Sequence, residues 1–319
     1  MLDGYAVNPG DLSWKAFAEL GGLTVYDRTA PHQLVERAVS ADAVIVDSLG
    51  FSEAVFSQLP RLRYLGLVAT GYDHVDLAAA EAHGVTVCNV PAYGTQSVAQ
   101  AAFALLLTLA HRVTEYDAAV HAGHWLAGRP YRYLPQPLLE INGKILGVVG
   151  FGRIGAAVAA LGRAFAMPVL AYDESSPEQC YTAGVQRVEL GQLLRQADVV
   201  SLHLPLTSKT RKLINAEALK LMKAGALFIN TARGGLVDDA ALAAALHEGR
   251  IAGAGLDVLG SEEPPDPGNP LLTAPNCVIT PHIAWATPEA RGRCVAEAAA
   301  NLKAFQRGEP RNAIVLPPA

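Results

Sequence analysis

A chain of 319 residues is long enough for two domains of ordinary size, each with its own core. It is 51% apolar with a mean hydropathy of +0.22 and a formal net charge of −5. That composition argues against disorder and leaves no electrostatic footprint for nucleic acid or an anionic membrane, so an anionic ligand must be drawn by a local cation. The N-terminus lacks a basic segment with an apolar core, and no signal peptide is expected. Cys88, Cys180, Cys277 and Cys294 are too scattered for a zinc motif or a disulfide framework and read as reduced, mostly buried thiols of a cytoplasmic protein. His121 and His124 form an HxxH pair without a third ligand nearby, so no metal site is expected.

Strand-like runs open the chain at 43–46, 64–68 and 85–88, with a helical stretch over 76–83. The longest apolar helix follows around 98–110. It is interrupted by Gln100, is too short to span a bilayer, and serves as a crossover into a second module, although a core helix within one domain has the same pattern. Residues 145–149 then read as a buried strand running into Gly150-Phe151-Gly152-Arg153-Ile154-Gly155. After this turn Ala156, Val158, Leu161, Ala164 and Phe165 fall on a helical period, and a strand at 169–172 ends at Asp173. Strand, glycine turn, helix, strand and acid together make a dinucleotide fingerprint: the turn lets backbone approach a pyrophosphate, the helix N-terminus offers free N–H groups, and the carboxylate accepts from a ribose. A carboxylate at Asp173 would repel a 2′-phosphate, which favours NAD over NADP.

Alternation resumes with strands at 199–202, 226–230, 251–256 and 278–280, so the chain reads as two α/β modules with parallel sheets. The dinucleotide turn lies late in the sequence, which assigns the coenzyme to the second module and places substrate in the cleft between the two. Polar residues stand where the later strands finish: Arg233 after 226–230, Asp257 with Glu262 and Glu263 after 251–256, and His282 after 278–280. Taken singly, Arg233 could be a surface ion-pair residue, Glu263 a solvated loop acid and His282 a capping residue. Together, beside a dinucleotide turn, they suit hydride transfer to a 2-oxo acid: arginine holds the substrate, histidine moves the proton and glutamate tunes the histidine.

Longer motifs now carry a resemblance. Ala69-Thr70-Gly71-Tyr72-Asp73-His74-Val75-Asp76, Asn89-Val90-Pro91-Ala92-Tyr93-Gly94-Thr95, the glycine turn, Asn230-Thr231-Ala232-Arg233-Gly234-Gly235 and Pro281-His282-Ile283-Ala284-Trp285 span nearly the whole chain. The chain resembles the D-isomer-specific 2-hydroxyacid dehydrogenases, and within them the glycerate dehydrogenases, or hydroxypyruvate reductases. The resemblance implies two doubly wound parallel-sheet domains. One is a flavodoxin-like substrate domain of residues 1–99 with 286–319, and the other a Rossmann-type NAD-binding domain of residues 100–285. It implies that Arg233, Glu263 and His282 form the catalytic set and that backbone amides at Thr70 and Gly71, with Arg233, hold the substrate carboxylate. It further implies that Gly150, Gly152, Arg153, Ile154, Gly155, Asp173, Thr231, Ala232, Asp257 and His282 line the NAD site. The glutamate departs from the family pattern: Glu262 keeps the spacing from Asp257, whereas Glu263 directly precedes proline and fits the downstream Pro-Leu-Leu, so Glu263 is preferred and Glu262 is its rival. Stretch 129–140 matches poorly and contributes nothing. The expected reaction is reversible reduction of hydroxypyruvate or glyoxylate by NADH in a cytoplasmic homodimer paired through the coenzyme domain. A dehydrogenase for another 2-oxo acid such as D-lactate is the alternative enzyme. An NAD-sensing regulatory scaffold is the alternative class, against which the intact Arg233, Glu263 and His282 set argues.

Overall fold

The computed structural model of the chain describes residues 1–126, 137–173, 184–260 and 265–314. The chain divides into two compact units, Met1–Gly94 with Trp285–Ala319, and Thr95–Ala284. In the first unit β1 (Ala43–Val46), β2 (Tyr64–Leu67) and β3 (Thr86–Cys88) form a parallel sheet in that order, with Ile45 opposite Gly66 and Gly66 opposite Cys88. All four residues of β2 are buried, as the central strand of a sheet covered on both faces should be. Among the described residues this sheet has three strands. The N-terminal segment joins it through the Leu2 N–H, which donates to Ile45 O at 3.0 Å, and is itself tied by the Tyr26 N–H donating to Met1 O at 3.0 Å. Helix α1 (Leu77–Ala82) starts at Asp76, whose carboxylate accepts from the Ala79 N–H at 3.0 Å.

The second unit begins with α2 (Thr95–His111), whose whole length belongs to it, followed by α3 (Val113–His121). The break between them is Arg112, in the left-handed region at φ 47°, and the two helices bend there by 56°. Among the described residues no single helix is long and apolar enough to cross a membrane. A seven-stranded parallel sheet follows: β4 (Leu146–Val149), β5 (Val169–Tyr172), β6 (Gln186–Arg187), β7 (Val199–Leu202), β8 (Leu227–Asn230), β9 (Gly253–Leu256) and β10 (Cys277–Ile279), arranged β10-β9-β8-β7-β4-β5-β6. On one face α2 and α4 (Arg153–Ala164) enclose Phe103, Leu106, Val148, Val158 and Ile229. On the other, α5 (Leu190–Gln196), α6 (Ala216–Leu221) and α7 (Asp239–His247) cover Leu194, Leu202, Leu219, Phe228 and Leu242. Strand order reverses between β4 and β7, the topological switch point where α/β sheets open a crevice at their carboxyl edge.

Two local outcomes differ from sequence expectation. The buried face of α4 is Gly155, Val158, Ala159 and Gly162 with Leu161 packed against the core, whereas Ala164 and Phe165 of the apolar period are exposed. Close approach decides this, because a Cβ on Gly162 would lie 2.5 Å from Leu146 Cδ2, and the displaced Phe165 stacks on Phe103 from outside at 5.4 Å between centroids. The edge strand β6 carries no apolar period, since both of its residues are exposed. After β10 the chain returns to the first unit as α8 (Pro288–Gln306), capped by the Thr287 hydroxyl. Its Cys294, Val295, Ala298 and Leu302 pack with Tyr64, Val68 and Cys88 in one core. Among the described cysteines Cys88 and Cys294 are buried and Cys277 half-buried, all three free; Cys180 lies outside the described residues.

Candidate active site

Each candidate site residue of the second unit lies on the segment that leaves the carboxyl end of a strand of one parallel sheet, so all of them share that edge. The glycine turn follows β4, Asp173 follows β5, Thr231, Ala232 and Arg233 follow β8, Asp257 follows β9 and His282 follows β10. From β10 to β4 the edge covers four strand spacings, about 19 Å.

The glycine turn is built to bring backbone close to a ligand. Gly150 sits at φ +96°, and a Cβ there would lie 2.6 Å from the His203 carbonyl carbon; one on Gly155 would lie 2.0 Å from Gly150 O. Gly152, the residue before α4, has nothing within 4 Å of where its Cβ would be, and no side chain caps the helix. The N–H groups of Arg153 and Ile154 therefore open the helix beside empty space, as an anion site requires. Across the turn the Asp173 carboxylate accepts from the Phe151 N–H, which holds it against the loop. The Thr231 hydroxyl is buried and has no hydrogen-bond partner among the described residues. Open glycine, crowded glycines, adjacent acid and orphaned hydroxyl together fit a dinucleotide whose pyrophosphate rests on α4.

Arg233 is half-buried and is braced by its own loop: its Nη1 donates to Ala232 O at 2.8 Å, while Asn230 Nδ2 donates to Arg233 O at 3.0 Å and Asn230 Oδ1 accepts from the Ala232 N–H at 3.0 Å. Gly234 next to it lets the loops after β8 and β9 touch, since a Cβ there would lie 1.6 Å from Leu259 O. His282 occupies the left-handed region at φ 53°, a conformation that costs a residue with a Cβ about 1–2 kcal/mol. Asp257, 2% exposed, accepts from the Thr280 hydroxyl at 2.5 Å, the Ile283 N–H at 2.9 Å and the Ala284 N–H at 2.8 Å. The Asp257 carboxylate, which the resemblance places in the NAD site, is engaged with the His282 loop. Glu262 and Glu263 lie outside the described residues.

In the first unit, Thr70 and Gly71 follow β2 at the carboxyl edge of the smaller sheet. The Thr70 hydroxyl donates to Val90 O at 2.9 Å and Asn89 Nδ2 donates to Thr70 O at 2.7 Å, which fixes the turn from below. Two neighbours escaped the sequence reading. His203 directly follows β7, in the same relation to a buried strand that marked His282; it shares a hydrogen bond with Ser201 Oγ at 2.8 Å, and burial pushes its imidazole pKa down to about 3. Asp239 binds the Gly260 N–H at 2.9 Å and Asn269 Nδ2 at 2.6 Å, pinning both flanks of the segment that contains the glutamates. Among the described residues no three potential metal ligands gather, and His121 of the HxxH pair faces Asp117 at 3.5 Å.

Known proteins share both the sequence and the fold. Residues 103–284 match the NAD binding domain of the D-isomer specific 2-hydroxyacid dehydrogenases. A hydroxypyruvate reductase of Blautia hydrogenotrophica is 42% identical over 98% of both chains, and a glycerate dehydrogenase of Methylorubrum extorquens is 39% identical over 91% of this chain and 90% of its own. A D-lactate dehydrogenase of Aquifex aeolicus, solved with NAD and lactic acid, superposes with a TM-score of 0.83 at 34% identity over 92% of this chain and 91% of that one. With a coenzyme turn of the right chemistry and relatives that match over nearly its full length, the chain belongs to the D-isomer specific 2-hydroxyacid dehydrogenases as an NAD-dependent member.

Proposed function

We propose that this enzyme reduces hydroxypyruvate, and the smaller glyoxylate, reversibly to D-glycerate and glycolate. The observation that carries the reading is the placement of Arg233, Asp257 and His282 after three adjacent strands, β8, β9 and β10, on the edge that also bears the glycine turn. NADH, when bound along that edge through Gly150, Gly152, Arg153, Ile154, Gly155, Asp173, Thr231 and Ala232, supplies a hydride. His282 in its protonated form donates to the carbonyl oxygen of the 2-oxo acid as that oxygen gains charge, and takes the proton back in the reverse direction. The Arg233 guanidinium pairs with the substrate and stabilises the developing alkoxide. The amides of Thr70 and Gly71 are assigned to the substrate carboxylate, and Glu263, with Glu262 as its rival, to orienting His282 and favouring its charged form.

Further elements of this reading concern the whole particle. Helix α3 buries none of its residues, and Val113, Val120, Trp125 and Leu126 are exposed by 57%, 42%, 57% and 85%. Such a surface supports a homodimer paired through the second unit. The free thiols fit a reducing, cytoplasmic compartment. The likeness to a D-lactate dehydrogenase favours one second reading, a preference for pyruvate or a bulkier 2-oxo acid.

The test is NADH oxidation by the purified protein against hydroxypyruvate, glyoxylate, pyruvate and longer 2-oxo acids, with NADPH as control. Fastest turnover with hydroxypyruvate and NADH is expected, and His282→Ala should lose about 10²–10⁴ in kcat while still binding NADH. A preference for pyruvate transfers the assignment to the lactate reading, and undiminished turnover in His282→Ala removes the imidazole from the chemistry.

A further inference from the structure

We propose that Asp257 is a positioning residue: its carboxylate holds the backbone on both sides of His282 and thereby aims the imidazole. The inference rests on His282 being the proton donor.

Four hydrogen bonds tie Asp257 to the segment that carries the histidine. Its carbonyl accepts from the His282 N–H at 2.8 Å. One carboxylate oxygen takes the Thr280 hydroxyl and the Ile283 N–H, and the other takes the Ala284 N–H. The residue therefore binds the chain two positions before the imidazole, at it, and at the two positions after it. Ordinary loop turns need nothing comparable. His282 does, because its left-handed backbone at φ 53° would otherwise relax to an extended or helical conformation and swing the ring away.

The chemistry of the acceptor also points this way. Three donors converge on one side chain that is 2% exposed, and a carboxyl group meets them with acceptor lone pairs on both of its oxygens. An asparagine of the same shape would present an NH2 group to one of the two amides. Glutamate would need room for another methylene in a packed site. The Asp257 N–H in turn donates to Asn230 O at 2.9 Å, and Asn230 braces the Arg233 loop through its side chain. The aim of the imidazole is thus referred to the same strand end that sets the guanidinium.

The experiment compares Asp257→Asn, Thr280→Val and His282→Ala with the parent enzyme, using the 2-oxo acid turned over fastest. For Asp257→Asn we expect kcat to fall about 10²-fold, as for a reacting group moved by about 1 Å. The fall in kcat at saturating NADH should exceed any change in the NADH dissociation constant measured by fluorescence titration, and the isotope effect on kcat with 4-deuterated NADH should rise as the chemical step becomes limiting. Thr280→Val removes one donor of three without changing side-chain shape and should move kcat and the isotope effect the same way by a smaller factor. It decides the matter if Asp257→Asn does not fold. Weakened NADH binding with parental kcat at saturation in Asp257→Asn would make Asp257 a coenzyme ligand and overturn the proposal, as would parental kcat in Thr280→Val. Inactive His282→Ala beside fully active Asp257→Asn sinks the positioning role alone. Full turnover in His282→Ala sinks the reading on which it rests.

Discussion

Arg233 carries a planar, permanently charged fork, and the loop after β8 spends three hydrogen bonds on keeping that fork in place. A lysine would keep the charge but lose the two-pronged geometry, so Arg233→Lys should raise KM for the 2-oxo acid about tenfold or more with a smaller change in kcat, read from steady-state kinetics. A second residue-scale expectation concerns His203. Burial keeps its imidazole neutral down to about pH 3, whereas a histidine in the unfolded chain protonates near 6.5. As pH falls below 6.5 the unfolded state takes up the proton first, so stability is lost across the window from 6.5 to about 3, by at most about 1.4 kcal/mol per pH unit. Urea midpoints at pH 7 and pH 5 should therefore diverge more for the parent than for His203→Gln; equal divergence removes His203 as the source. Arg233, Asp173 and His282 stood out in the sequence because a charged or imidazole side chain within three residues of an apolar strand is a local pattern. His203 obeyed the same pattern and was passed over. What Asp257 holds could not be read, because its partners belong to the next strand's loop and depend on a left-handed residue that no spacing announces.

At the scale of elements, the turn between β4 and α4 separates two jobs that glycine does. Gly152 faces open space at φ −74°, so Gly152→Ala should fold with an unchanged Tm yet bind NADH more weakly, because the added methyl occupies the coenzyme's approach. Gly155 lies against the Gly150 carbonyl, so Gly155→Ala should cost about 1–3 kcal/mol of stability or more by forcing the helix off the strand. Thermal melts and NADH titrations of the two variants distinguish the roles; a lowered Tm in Gly152→Ala would show that the space is not free. Six of the seven strands of this unit, with α2 and α4, were legible to within a few residues because those strands are mostly apolar runs with turn signals at their ends. The inward face of α4 was legible only in part, at Val158 and Leu161, since the glycines through which it also packs, Gly155 and Gly162, carry no apolar signal. The two-residue strand β6 exists through pairing with β5 alone, with Leu170 opposite Gln186 and Ala171 opposite Arg187.

For the whole molecule, composition correctly bounded size and class, whereas pairing between copies leaves little trace in a single chain because exposed apolar residues look like any others until they share a surface. If the exposed residues of α3 and the segment after it form the homodimer contact, Trp125→Glu with Leu126→Glu should shift the mass measured by light scattering from dimer to monomer; an unaltered dimer would place the contact elsewhere. The first unit is assembled from both ends of the chain: α8 supplies Cys294, Val295, Ala298 and Leu302 to the core around Tyr64 and Cys88, and Ala313 bridges to Cys88. This discontinuity has a consequence for biosynthesis. The ribosome releases residues 1–94 first, yet the cluster around Tyr64 and Cys88 stays unfinished until the final helix emerges, while residues 95–284 already hold every described strand of their own sheet. Until then the nascent N-terminal region holds one cluster complete in its buried residues and one with Tyr64 and Val68 unsheltered, a span in which chaperones have something to hold.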